Sequence, residues 1–277
     1  MSKQRNHLSA KKQGPLWVIL SLIAAIPLWH LFTRLAGLPA FMLPTPLQVG
    51  NRFVRAVTDG SLPHHSMITL VEVLLGLALG VITATLLGYL LAKSIHLERL
   101  LSPYIIASQS IPTIAIAPLL VLWFGPGLLS KILICALIVF FPVLVNTIVG
   151  MRTVPEDLRD LMRSLQASRW QTLRLLEVPA SLPVFLGGLR IGATLSVIGA
   201  VVGEFVGSDR GLGFLINVGR GMYDTALVFV AVFTLIAMAL SLYGLVVLME
   251  RRLLSWQQRP DQSVLYEAVQ SMDDKSK

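Results

Sequence analysis

Two carboxylates lie where carboxylates are costly. Glu72 and Glu204 each interrupt a long apolar run. An acid in such a run takes up a proton or an ion, pairs with a cation, or snorkels to the interface. Glu72, near one end of its run, is expected to snorkel rather than pair. Glu204 follows Gly188, Gly192, Ser196 and Ala200 at four-residue steps, so it shares a close-packing face and needs a partner, which is expected across an interface. Neutral hydrogen-bonding groups form a second set: Ser108, Gln109, Ser110 and Thr113 in one apolar run, and Asn146 in the next.

No catalytic constellation accompanies these groups. His7, His30, His64, His65 and His96 are scattered. The adjacent pair His64–His65 lacks metal-ligand spacing and suits a helix cap or an interface. Cys135 is alone in the chain and sits in an apolar segment, so neither an intramolecular disulfide nor a cysteine metal cluster is possible. The patterns G-x-x-x-x-G-K-[ST], H-E-x-x-H, G-x-S-x-G and C-x-x-C do not occur. The chain therefore has no P-loop with which to bind ATP, and no enzyme activity, bound cofactor or metal is expected.

The elements that position these residues follow from composition. Hydrophobic residues make up 55% of the 277 and charged residues only 14%, with a mean hydropathy of +0.73. Soluble domains carry roughly 25% charged residues, so most of this chain belongs in lipid. The +8 net charge does not point to nucleic acid, because the basic residues flank apolar segments instead of forming a patch with interleaved aromatics.

The reading is an all-α polytopic membrane protein with about six spans: 16–33, 66–92, 100–123, 128–149, 182–206 and 226–249. The first run is read as an uncleaved span and not a signal peptide, because Pro27, Trp29 and His30 interrupt it and Arg34 follows. Residues 37–63 read as an outer loop holding a short helix near Leu47–Val57, and residues 207–224 as a glycine-rich outer loop. The G-x-G in that second loop is no nucleotide fingerprint, since no strand precedes it. Gly76, Gly80, Ala84 and Gly88 form a stripe along which another helix can approach closely. The third span, with Pro103, Pro112 and Pro118, is either a wall of a translocation path or a kinked packing helix.

Lysine and arginine orient the spans. With the N-terminus inside, inner segments hold sixteen of them: four before span one, two between spans two and three, five between spans four and five, and five in the tail. The outer loops hold six, namely Arg34, Arg52, Arg55, Lys131, Arg210 and Arg220; Arg190 lies inside span five and can snorkel. This bias places both termini in the cytoplasm. The resulting division is a cytoplasmic tail 1–15, a transmembrane region 16–252 and a cytoplasmic tail 253–277.

The inner segment 153–183 is the longest charged, amphipathic run. Thr153-x-x-Glu156 and Ser168-x-x-Gln171 both read as capping boxes. Leu158, Leu161, Met162 and Leu165 recur at helical spacing, opposite Asp157, Arg159, Asp160 and Arg163. Two short helices joined by an elbow at Gln166–Ala167 are expected, the second ending at Val178–Pro179 because a residue before proline disfavours the helical region. Such a hairpin either docks on a partner or packs on its own protein.

This hairpin resembles the cytoplasmic loop of permease subunits of binding-protein-dependent ABC importers. The aligned residues are Asp160-Leu161-Met162, Gln166 where the family has Gly, and Leu176-x-Val178-Pro179. Further similarity lies in Leu43-Pro44-Thr45-Pro46, Ile111-Pro112 through Trp123-Phe124-Gly125, Phe141-Pro142 to Asn146-Thr147, Glu204-Phe205 and Gly211-Leu212-Gly213. Together these cover about residues 41–252. They match the branch transporting nitrate, taurine, aliphatic sulfonates and thiamine- or riboflavin-type vitamins and precursors. Gln166 departs from the pattern, as does Glu72, where many members carry a basic residue.

The resemblance implies an inner-membrane protein of a bacterium that pairs with a second permease chain, identical or paralogous. It implies two cytoplasmic ATPase subunits, which hold ATP and Mg, and an extracytoplasmic solute-binding protein. Leu161, Met162, Leu165 and Ala167 would seat in the ATPase, with Asp160, Arg163 and Ser168 at the rim and Gln166 and Pro179 shaping the hairpin. Ser108, Gln109, Ser110, Thr113, Asn146 and Glu204 would line the path. The neutral hydrogen-bonding groups of span three, Ser108, Gln109, Ser110 and Thr113, favour a small neutral or heteroaromatic nutrient over a sulfonate or nitrate. An ion-coupled secondary carrier using Glu72 or Glu204 is the alternative, and a membrane scaffold that transports nothing is a third reading.

Overall fold

The computed structural model describes residues 14–109 and 112–255, with side chains from residue 24 onward except those of Gln109 and Thr113. Every regular element among them is a helix: α1 (Gly14–Leu35), α2 (Pro46–Thr58), α3 (Ser61–Lys93), α4 (Ile95–Gln109), α5 (Thr113–Phe124), α6 (Leu128–Arg152), α7 (Glu156–Ser164), α8 (Arg169–Thr172), a π-turn (Leu173–Glu177), α9 (Val178–Gly207), α10 (Leu212–Gly221) and α11 (Thr225–Leu253). Among them α3, α6, the continuous stretch Arg169–Gly207 and α11 are long and apolar enough to cross a membrane.

The core is a trio. Helix α6 packs along both α3 and α9, and the small-residue stripes permit the close approach. A Cβ on Gly76 of α3 would lie 2.2 Å from the Cβ of Cys135, and one on Gly199 of α9 would lie 2.8 Å from its Cα. Cys135 is thus wedged between two glycines, which accounts for a small residue at that position. Lower down, Ala84 and Leu91 of α3 bury against Val139, Val143 and Leu144 of α6. Such contacts hold membrane helices together where lipid offers no hydrophobic drive to associate.

The trio is flanked on one side by α10 and α11. Leu212, Leu215 and Ile216 join Val230 and Ala231 in one cluster. Helix α2 crosses the start of α11, tied by Arg52 Nε donating to Asp224 Oδ2 at 2.7 Å. Trp29 of α1 stacks on Phe229 of α11 at 5.4 Å between ring centroids.

Several expectations need correction. The third span is not one helix: α4 ends at Gln109, Pro112 is extended (φ −61, ψ 108) and α5 starts after it. Helix α5 has 12 residues, short of the roughly 20 that cross a bilayer. The loop 207–224 contains α10. Thr153 does not cap α7; it ends α6, its hydroxyl donating to Gly150 O at 2.7 Å. Pro155 takes the N-cap place of α7 instead. Val178–Pro179 ends nothing either. Val178 stays helical (φ −63, ψ −51) and its N–H donates five residues back to Leu173 O. The wider π-turn lies directly before the proline, where an α-turn would press a carbonyl on the ring.

Candidate functional site

At one end of the bundle stands the hairpin. Helix α7 buries none of its residues. Leu161 is 53% exposed, Leu165 67% and Trp170 68%, while Met162 and Ala167 are half-buried. Its charges pair locally: Arg163 Nη1 donates to Asp160 Oδ1 at 2.6 Å and Arg159 Nη1 to Glu156 Oε2 at 3.2 Å.

The elbow is a complete Schellman closure. Gln166 adopts the left-handed conformation (φ +52). Its N–H donates to Arg163 O at 2.9 Å, and the N–H of Ala167 donates to Met162 O at 3.0 Å. The turn therefore forms with glutamine in the place that favours glycine. The capping box at α8 is present: Gln171 N–H donates to Ser168 Oγ (3.2 Å) and Ser168 N–H to Gln171 Oε1 (2.7 Å).

The hairpin is tethered through one arginine. Arg159 Nη2 donates to Met151 O, at the end of α6, at 2.8 Å, and its Nε lies 3.9 Å from Glu177 Oε1. Glu177, in the π-turn, is 1% exposed and receives Lys93 Nζ, at the end of α3, at 2.5 Å. One buried carboxylate thus joins the hairpin to the ends of all three core helices. Neither Glu177 nor Lys93 was singled out from the sequence. The signal is legible there: an acid and a base, each closing an apolar run at the same end of the bundle. Pro179 is half-buried just beyond this junction.

The opposite end carries a buried polar network. Glu72 is not snorkelling: it is 1% exposed, and Lys131 Nζ donates to its Oε1 at 2.9 Å and to Ser208 Oγ at 2.6 Å. Lys131 accordingly belongs to α6 and not to an outer loop, because pairing lets the ammonium stay inside the bundle. Glu204 finds its partners within the chain, not across an interface. Thr69 Oγ1 donates to Oε1 at 2.6 Å and the Gly213 N–H to Oε2 at 2.5 Å. The segment before α10 folds back over α3 to do this, with the Leu212 N–H donating to Thr69 Oγ1 (2.8 Å) and the Gly211 N–H to His65 Nδ1 (3.0 Å). Gly211 has φ +102, and a Cβ there would sit 2.0 Å from Glu204 Oε1. The Gly211-Leu212-Gly213 motif is a cradle for a carboxylate.

Of the proposed path residues, Glu204 and Asn146 lie toward opposite ends of α6. Ser108 Oγ donates to Ile105 O (2.9 Å) and Asn146 Nδ2 to Pro142 O (2.8 Å). Asn146 abuts Gly188 of α9, where a Cβ would lie 2.5 Å from its own. Lys131, beside the glutamates, and Asn146 are separated along α6 by about 22 Å. Ser110 and the side chains of Gln109 and Thr113 lie outside the described residues. Arg190 does not snorkel free: its Nη2 donates to Glu250 Oε1 at 3.2 Å. Among the described residues no group of His, Cys, Asp and Glu could hold a metal.

A family model described as the inner membrane component of binding-protein-dependent transport systems matches residues 76–255. The chain belongs to this family. It is 47% identical over 218 residues to the riboflavin transport system permease protein of Chloroflexus aurantiacus, covering 79% of this chain and 81% of that one. It is 35% identical to the formylaminopyrimidine transport permease of Halalkalibacterium halodurans (79% and 87% covered). It is 34% identical to the taurine transport permease of Escherichia coli (77% and 80%). The fold is shared with a chain of the inward-facing MetNI methionine ABC transporter, at a TM-score of 0.59 and 19% identity over 68% of this chain and 93% of that one. This permease is thus a multi-pass inner membrane component of an ABC importer, a transport protein rather than an enzyme, and membership does not favour an ion-coupled carrier.

Proposed function

We propose that this chain forms half of a translocation path and is driven through its α7–α8 hairpin by a separate ATPase. Helices α1, α3, the α4–α5 pair, α6, α9 and α11 make six passes, with tails 1–15 and 253–277 in the cytoplasm around the transmembrane region 16–252. A second copy or a close paralogue completes the path. Two ATPase subunits hold ATP and Mg, and an extracytoplasmic binding protein delivers the solute.

One observation carries this reading: a helix without a buried residue presents Leu161 and Leu165 outward. Exposed leucines on a charged helix suit a groove in another protein. Leu161, Met162, Leu165 and Ala167 supply the apolar contact; Asp160, Arg163 and Ser168 ring it. Motion of the partner then passes through Arg159 to Glu177 and Lys93, and so to α6, α9 and α3 together.

For the solute, a vitamin or vitamin precursor with a heteroaromatic ring is the first choice, in line with the riboflavin and formylaminopyrimidine relatives. A sulfonate or taurine is second. The test is to co-purify the chain with its ATPase and replace Asp160 and Leu165 with Arg. Loss of association and of ATP-driven uptake is expected. Undiminished association and uptake contradict the reading.

A further inference from the structure

Two cavities meet beneath the hairpin, and they share Tyr89. One, about 420 Å³, is apolar, with Leu86, Leu173, Leu182 and Phe185 on its walls beside Thr85. The other, about 570 Å³, is lined by Lys93, Arg159, Arg163 and Arg169, with Glu177 the one carboxylate on its wall. Lys93 Nζ stands 5.7 Å over the Tyr89 ring, at the seam between the two.

The charges facing this space are unequally spent. Lys93 is paired with Glu177, and Arg163 with Glu156 and Asp160. Arg159 reaches Glu156 and Met151 O; its buried Nε lies 3.9 Å from Glu177 Oε1 without a hydrogen bond, and Glu177 Oε2 has no hydrogen-bond partner either. Arg169 forms no ion pair among the described residues. The buried hydroxyl Thr85 Oγ1 also lacks a partner. An apolar slot thus runs into a vestibule where four basic side chains face one carboxylate, with the Arg159 Nε–H free to donate and Arg169 in no ion pair among the described residues.

We propose that the two cavities form one binding site for an anionic phospholipid of the inner leaflet. An acyl chain fills the apolar slot, and the phosphate lies between Arg159 Nε and Arg169. The proposal rests on the hairpin being cytoplasmic, as proposed above. Basic pockets between helices on that side of a membrane recognise lipid phosphates. A free phosphate would leave the apolar half empty, and a neutral lipid would leave the arginines unanswered. An anionic lipid satisfies both halves at once. It also places a membrane component against Arg159, the tether of the hairpin, so lipid composition would bear on coupling.

The test uses the full chain purified together with its ATPase, equilibrated with phosphatidylglycerol or phosphatidylcholine, with retained lipid counted by native mass spectrometry. Preferential retention of phosphatidylglycerol is expected, undisturbed by millimolar inorganic phosphate. Arg169→Ala should cut that preference roughly fivefold, and Arg169→Lys should restore most of it. Thr85→Phe, which fills the slot, should lower retention of both lipids. Equal retention of the two lipids, displacement by phosphate alone, or an unchanged preference in Arg169→Ala overturns the proposal. So does loss of the lipid when the ATPase or a second permease copy docks, which would assign the space to protein. Cysteine labelling of the hairpin from each side of the membrane is run in parallel. Labelling from outside refutes the topology, whereas a missing lipid preference with inside labelling refutes the site alone.

Discussion

The two ends of this bundle treat charge in opposite ways. At the end away from the hairpin Glu72, Lys131 and Glu204 are buried; Lys131 bonds to Glu72 and Ser208, and Glu204 to Thr69 and the Gly213 N–H, across α3, α6 and α9. At the hairpin end Glu156, Asp160 and Arg163 pair with one another on an open helix beside exposed leucines. The buried network draws its partners from within the chain, although Glu72 Oε2 is left without one. An open amphipathic helix is complete only with a partner. The same contrast appears in the backbone. Gly211 is left-handed with a carboxylate where its Cβ would be, while Gln166 is left-handed and exposed.

Five substitutions break or sharpen this comparison. Lys131→Met strips Glu72 of its cation and should destabilise the chain by about 3–5 kcal/mol, read as a fall in Tm of the detergent-purified protein. The pair Glu72→Leu with Lys131→Met should recover most of that loss; no recovery would show that the pair is not an independent unit. Gly211→Ala puts a methyl into Glu204 and should cost about 1–3 kcal/mol by the same measurement. Leu165→Arg should lower ATPase association and uptake roughly tenfold while Tm stays put, because Leu165 is 67% exposed. Gln166→Gly should add about 1 kcal/mol to the elbow, visible as slower amide exchange at Ala167, with uptake kept.

Much of this was legible in the chain. The stripes through Gly76 and Gly188 marked close-packing faces, because small residues let membrane helices approach closely, though not that α6 is the helix lying on both. The Ser168 box and the elbow at Gln166 were legible because capping is local. What escaped depends on neighbours distant in sequence. Thr153-x-x-Glu156 matches a capping box, but Thr153 closes α6 first. Pro179 should stop a helix, and a π-turn absorbs it. Lys131 and Glu72 looked like separate boundary charges because their pairing spans two helices. Glu204 was read as needing a partner across an interface and finds Thr69 and Gly213 within the chain, since nothing local says that Gly211–Gly213 folds back over it.

The claim at the centre is that the α7–α8 hairpin seats in a cytoplasmic ATPase, and Leu161→Cys tests it most directly. Native Cys135 is buried, so a membrane-impermeant thiol reagent should report on position 161. In sealed inside-out vesicles the new thiol should react when the permease stands alone and be protected when the ATPase is bound. Reaction from the opposite face, or identical labelling with and without the ATPase, would contradict the account.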